Sequence, residues 1–153
     1  MAVLASRLGA VRPVPLSLSI VPGFLALVPA EPCTALDDLA AACVEALDPL
    51  RAPLDPDERR RRHAAGLSRR ESELLERWGY PFVMDRFRFH MTLSEPLGPD
   101  ALRALTAAAA AHFGGVLSRP VAVDALCLFV EPPGEDFRAV ARLPLQRARE
   151  SAA

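Results

Sequence analysis

At 153 residues and 51% hydrophobic side chains, the chain is long and apolar enough to close a hydrophobic core, which excludes wholesale disorder. Its 18 basic and 19 acidic residues leave a formal net charge of −1, so no overall field recruits nucleic acid or an anionic membrane. All of those basic residues are arginines, which beside heavy alanine and 15 prolines reads as a high-GC coding bias rather than a set of ligands.

The apolar opening is broken by Arg7, Arg12, Pro13, Pro15, Pro22 and Pro29. It therefore has the uninterrupted run of neither a membrane span nor a signal peptide, and a cytoplasmic protein is expected. Cys33, Cys43 and Cys127 lie far apart with no CxxC or Cys/His ligand spacing, so neither a disulfide framework nor a zinc site is indicated; Asp85 and His90 are too isolated to count as a ligand set, and no metal or cofactor is expected.

In chain order, MAVLASRLGAVR is helix-compatible up to the PVP that follows it. LSLSIV then alternates apolar residues with serine in strand fashion, and GFLALVP is a short buried-strand candidate. Thr34 opens a helix in a capping-box-like T-x-x-D with Asp37, and Leu36, Leu39, Ala40, Cys43, Val44 and Leu47 make its apolar face up to Pro49. The arginine run Arg59 to Arg62 follows Asp55, Asp57 and Glu58, which neutralise much of its field, so it reads as a solvated helical turn. Ser68 and Glu71 form a second capping box, with Leu74, Leu75 and Trp78 on the buried side and Gly79 as the stop. Residues 82–94 read as a strand in two parts, broken near Asp85. Pro99 and Asp100 open a helix with Leu102, Leu105, Ala109 and Phe113 inward, closed at Gly114 and Gly115. VAVDALCLFV and FRAVARLPL are two strands joined through EPPGED as a hairpin. Strands separated by helices, with a terminal hairpin, predict an α+β fold: a mainly antiparallel sheet covered by helices.

One stretch carries chemistry. In a strand RFRFHMTLS, Phe87, Phe89, Met91 and Leu93 face the core, while Arg88, His90, Thr92 and Ser94 line the other side at spacings of roughly 7 Å. An imidazole can exchange a proton near neutral pH, a hydroxyl can donate to a phosphoryl oxygen, and a guanidinium can neutralise the charge that builds there. The same alternation also describes the solvated side of any antiparallel strand, and an H-x-T triplet alone recurs by chance.

FRFHMTLS resembles the H-x-[ST]-hydrophobic motif of the 2H phosphoesterase superfamily, and LLERWGYPFVMDRFRFHMTL is similar to a phosphonate-metabolism branch of it encoded beside carbon–phosphorus lyase genes. The likeness runs from about Pro13 to Leu145. It implies one lobe of a two-lobed fold: residues 1–13 a remnant helix of the first lobe, residues 14–146 the C-terminal lobe, and residues 147–153 a tail. It also implies catalysis by two H-x-[ST] motifs facing each other, one histidine as general base and one as general acid, with both hydroxyls holding the phosphate. His90 and Thr92 match the second motif, and Arg88 is the expected phosphate contact. Nothing matches the first: His63 precedes Ala64 and Ala65, and His112 precedes Phe113 and Gly114. In the family the first motif lies upstream of the segment that MAVLASRLGAVRPVPL resembles, so the expectation is a chain that acts on a small phosphorylated metabolite only with the missing lobe and is inactive alone.

Another reading is a non-catalytic, self-associating protein, in which a homodimer through the exposed lobe interface brings two His90 side chains together. Nucleic-acid binding is disfavoured, since lysine patches and aromatics interleaved with basic residues are lacking.

Overall fold

The computed structural model describes residues 1–146; the expected tail at 147–153 lies outside the described residues. The fold is α+β, with antiparallel strand pairing in every sheet. The chain divides into two units, residues 34–89 and the segments on either side of them.

The first unit holds all the strands. A one-turn helix α1 (Ala2–Ala5) precedes β1 (Val11–Val14), β2 (Leu16–Val21) and β3 (Phe24–Pro29). After the second unit the chain returns with β4 (Met91–Thr92), α5 (Pro99–Leu117), β5 (Val121–Val123), β6 (Ala125–Val130) and β7 (Arg138–Pro144). These strands form a β2–β3–β4 sheet and two pairs, β1–β5 and β6–β7. Gly23, at φ +89°, sits in the two-residue turn between β2 and β3, a backbone conformation that glycine adopts without a side-chain clash. The core beneath the three-stranded sheet is Leu25, Leu102 and Ala109, with Leu18, Leu93, Leu97, Leu105 and Phe113 packed around them. One apolar face of α5 thus covers one face of that sheet.

The second unit, Thr34–Phe89, is helical: α2 (Thr34–Leu47), α3 (Pro56–Ala64) and α4 (Arg69–Trp78), with short 3-10 turns at Asp48–Leu50 and Met84–Arg86. Leu36, Leu39, Leu74, Leu75, Pro81 and Val83 are its buried apolar residues. Its helix ends are satisfied locally. The Asp55 carboxylate accepts from the amides of Asp57 (2.8 Å) and Glu58 (3.1 Å). Ser68 and Glu71 form the reciprocal capping box, and Gly79 ends α4 in the left-handed region at φ +74°. The arginine run lies on α3, where Arg60 pairs with Asp57 and both Arg61 and Arg62 pair with Glu58, so it is a neutralised helical surface.

Four local expectations are corrected. The opening helix is confined to Ala2–Ala5, because residues from Val11 onward pair with β5 instead. Residues 82–94 do not form a two-part strand: Met84–Arg86 is a 3-10 turn entered at Met84 with φ +52°, and only Met91 and Thr92 join a sheet. Helix α5 runs past Gly114 and Gly115 to Leu117; neither glycine takes the positive φ of a left-handed cap. VAVDALCLFV is two strands, since β5 pairs with β1 and β6 with β7, and the chain changes partner at Asp124.

Candidate functional site

The H-x-T segment is fastened to the buried strand β3. Leu27 pairs with Met91 and Ala26 with Thr92. The fastening continues past β4, with the amide of Leu93 donating to the Leu25 carbonyl (2.9 Å) and that of Leu97 to the Gly23 carbonyl (2.9 Å). The Leu25 amide then takes a side chain in place of a backbone carbonyl: the Ser94 hydroxyl oxygen accepts from it at 3.0 Å and donates to the Glu95 carbonyl at 2.8 Å. Ser94 shares the polar pattern of His90 and Thr92 in sequence, but its hydroxyl is committed to holding the strand.

Strand alternation assigns the faces. Leu25 points into the core under α5. Phe24, Ala26 and Val28 therefore point the other way, and Thr92, paired with Ala26, shares their face. His90 lies on that face too, since its ring sits against Phe24 with centroids 5.7 Å apart and planes tilted by 45°. Both His90 and Thr92 are exposed. Met91, expected in the core, is 49% exposed, because it stands at the sheet edge beyond the cluster under α5. On the far side of β3, Ser19 pairs with Ala26 and Ser17 with Val28, which brings both serines to the face of His90 and Thr92. The alternation of LSLSIV is visible in sequence, but only the pairing register tells which face the serines take.

Arg88 is exposed and belongs to the helical unit, while His90 and Thr92 belong to the strand-bearing one. Asp85 is bound by Arg70, whose Nε and Nη2 reach Asp85 Oδ1 at 2.9 and 2.6 Å. That guanidinium holds the Asp85 carboxyl below the usual carboxylate range. Of the remaining histidines, His63 Nε2 lies 3.1 Å from Glu76 Oε1, and His112 stands edge-on to Phe113 with centroids 4.9 Å apart. Arg142 donates to Asp124 at 2.7 Å and Arg138 pairs with Glu135 at 3.3 Å, so both arginines of β7 have carboxylate partners. Among the described residues no group of three or more His, Cys, Asp or Glu is placed to hold a metal ion, and no helix is long and apolar enough to cross a membrane.

An exposed imidazole and an exposed threonine hydroxyl on one side of a segment held by β3, whose central residues Leu25 to Leu27 are buried, can bind an oxyanion and move one proton. One imidazole cannot be acid and base in the same step.

The sequence profile of a family described as a protein of unknown function, DUF1045, matches residues 1–138. A protein of Janthinobacterium sp. (strain Marseille), named ribose 1,5-bisphosphate phosphokinase PhnN, is 40% identical over 134 residues, 84% of this chain and 30% of that protein. One of the same name from Laribacter hongkongensis (strain HLHK9) is 44% identical over 117 residues, 76% of this chain and 26% of that protein. The chain thus spans less than a third of the length of the curated relatives it matches. No solved structure matches it.

Proposed function

We propose that this chain, which belongs to the DUF1045 family of proteins of unknown function, is a phosphoester-binding lobe of the 2H phosphoesterase type, associated with phosphonate metabolism. His90 is its proton-transfer group and Thr92 its phosphate-holding hydroxyl. Arg88, two residues before His90 in the chain, is the countercharge, a role taken from its sequence position. The observation that carries the reading is that His90 and Thr92 are both exposed and lie on the same side of a segment fastened to β3, whose residues Leu25, Ala26 and Leu27 are buried. The link to phosphorylated metabolites is supported by the relatives named for a ribose bisphosphate.

The phosphokinase activity in those names is not carried over. A P-loop, GxxxxGK[ST], uses a lysine to reach the phosphates, and this chain contains no lysine. The chemistry proposed is ester hydrolysis, for which a second H-x-[ST] must supply the complementary proton transfer, and these residues carry one such motif. Acid and base each contribute on the order of 100-fold or more, so this chain with a cyclic ribose phosphate turns over no faster than its His90→Ala variant.

Binding is the positive test. In calorimetric titration with inorganic phosphate, His90→Ala and Thr92→Ala each weaken binding about tenfold, the loss of one hydrogen bond to a charged group. Ser118→Ala, which removes only the hydroxyl bonded to the Gly115 carbonyl, leaves it unchanged. Equal affinity in all three variants overturns the proposal.

A further inference from the structure

We infer that β2 pairs with β2 of a second copy of this chain, antiparallel and about a two-fold axis at Leu18. The inference does not rest on the phosphate-binding reading of His90 and Thr92.

The hydrogen bonds of Leu25 fix which backbone groups β2 turns outward. The Leu25 amide donates to the Ser94 hydroxyl and its carbonyl accepts from the Leu93 amide, so both point away from β2. In an antiparallel pair, opposed residues turn their backbone groups either both towards each other or both away. Ile20 opposes Leu25, so it points its own amide and carbonyl to the outer side of β2, and Leu18 and Leu16 follow at every second residue. β2 ends the strand order of its sheet. Among the described residues these outward groups have no hydrogen-bond partner.

That edge lacks the usual defences against pairing. β2 is six residues long, with no proline and an unbroken register against β3, and no charged residue occurs from Val14 to Ala30. The pattern also selects the occupant. Leu16-Ser17-Leu18-Ser19-Ile20 reads nearly the same in both directions about Leu18. A two-fold axis there sets Leu18 against itself and Leu16 against Ile20, and the outward amides and carbonyls of these residues bond one another. On the opposite face each Ser17 meets a Ser19 of the other copy, with β-carbons about 5 Å apart. Neither serine hydroxyl has a partner within the chain among the described residues, and each can both donate and accept. Ile20, 54% exposed, gains a leucine beside it.

The pairing joins two three-stranded sheets into one of six, in the order β4–β3–β2–β2–β3–β4. Five strand spacings of about 4.8 Å then separate the two Thr92 residues by roughly 24 Å. The two H-x-T segments are therefore not brought together, unlike those of the homodimer expected from sequence. Six residues of strand span about 20 Å, a contact smaller than the roughly 800 Å² per partner of a standard interface, so the dimer dissociates on dilution.

The test is sedimentation of the intact chain over a range of concentrations, together with hydrogen exchange of the β2 amides at both ends of that range. The mass should rise from 16.5 kDa towards twice that value. At the high end the Leu18 and Ile20 amides should exchange about tenfold more slowly than at the low end, while those of Ser17 and Ser19, which face β3, should not change. Ile20→Lys, which puts a charge on the edge, should keep the chain monomeric with its circular dichroism unaltered. The exchange comparison needs no variant, so it decides the matter even where Ile20→Lys does not fold. A chain that stays monomeric with no change at these amides overturns the inference. So does a dimer that leaves them unprotected, which would use another surface, or protection that persists on dilution, which would mean that the edge is covered within one copy.

Discussion

The imidazole of His90 packs against the phenyl ring of Phe24, with centroids 5.7 Å apart and planes at 45°. Phe24 and Leu25 are neighbours in β3 with opposite duties: Leu25 is fully buried in the core under α5, and Phe24 backs the histidine. Leu25→Ala therefore costs about 2–5 kcal/mol in urea denaturation, the range for truncating a buried leucine. Phe24→Ala costs less because the ring is half-buried, yet it is the variant that moves the His90 imidazole resonances in proton NMR.

Ser94 holds the H-x-T segment by replacing a backbone carbonyl. Removing its hydroxyl leaves the amide of fully buried Leu25 without its acceptor, at a cost of about 1–3 kcal/mol. Ser94→Ala should show that loss in denaturation and faster hydrogen exchange at the Leu25 amide. Ser94→Thr, which keeps the oxygen, should recover both.

Gly79 is required by two separate features. At φ +74° a β-carbon costs about 1–2 kcal/mol, and it would also lie 2.7 Å from Arg51 Nη1. Arg51 could swing clear only by loosening its bond to Asp48 (Nε to Oδ1, 3.0 Å). Gly66, at φ +83° with nothing near a β-carbon, has the backbone cost alone. Thermal denaturation should rank Gly79→Ala below Gly66→Ala, with the difference closing when Arg51→Ala is combined with the former.

The helical unit should loosen in acid. Asp48 is held below its usual range first by Arg77 and then by Arg51, Asp85 by Arg70, and Glu71 by its hydrogen bonds with Ser68. A carboxyl lowered in the folded state favours folding fully above its unfolded pKa, near 4, and loses that contribution as pH falls through its lower folded value. Helical circular dichroism should therefore hold from neutral pH to about pH 5 and decline below about pH 4. Asp85→Asn should remove part of that decline.

Much of this was readable in sequence because it is local. The capping box of Ser68 and Glu71, the glycine stop at residue 79 and the apolar face of α2 depend on residues within a turn of each other, and each stands as expected. The strand-like reading of residues 82–94 failed where a nonlocal contact prevailed: Asp85 is pulled to Arg70, and the backbone turns at Met84. Half-buried Phe87 and Phe89 still alternate with exposed Arg88 and His90, so the pattern marked side-chain direction without marking a strand. The break at Asp124 depended on which partner each half of the segment pairs with, and the face shared by Ser17, Ser19 and Thr92 on the register of β2 and β3. Neither is written in the segments themselves.

The central claim is that His90 faces a bound phosphate, and its most direct test is proton NMR of the three histidines at one fixed pH as inorganic phosphate is added. The His90 imidazole resonances should shift as phosphate binds, while those of His63 beside Glu76 and His112 beside Phe113 stay where they were. Thr92→Ala should reduce the shift. His90 resonances that do not move, or three histidines that move together, would contradict the account.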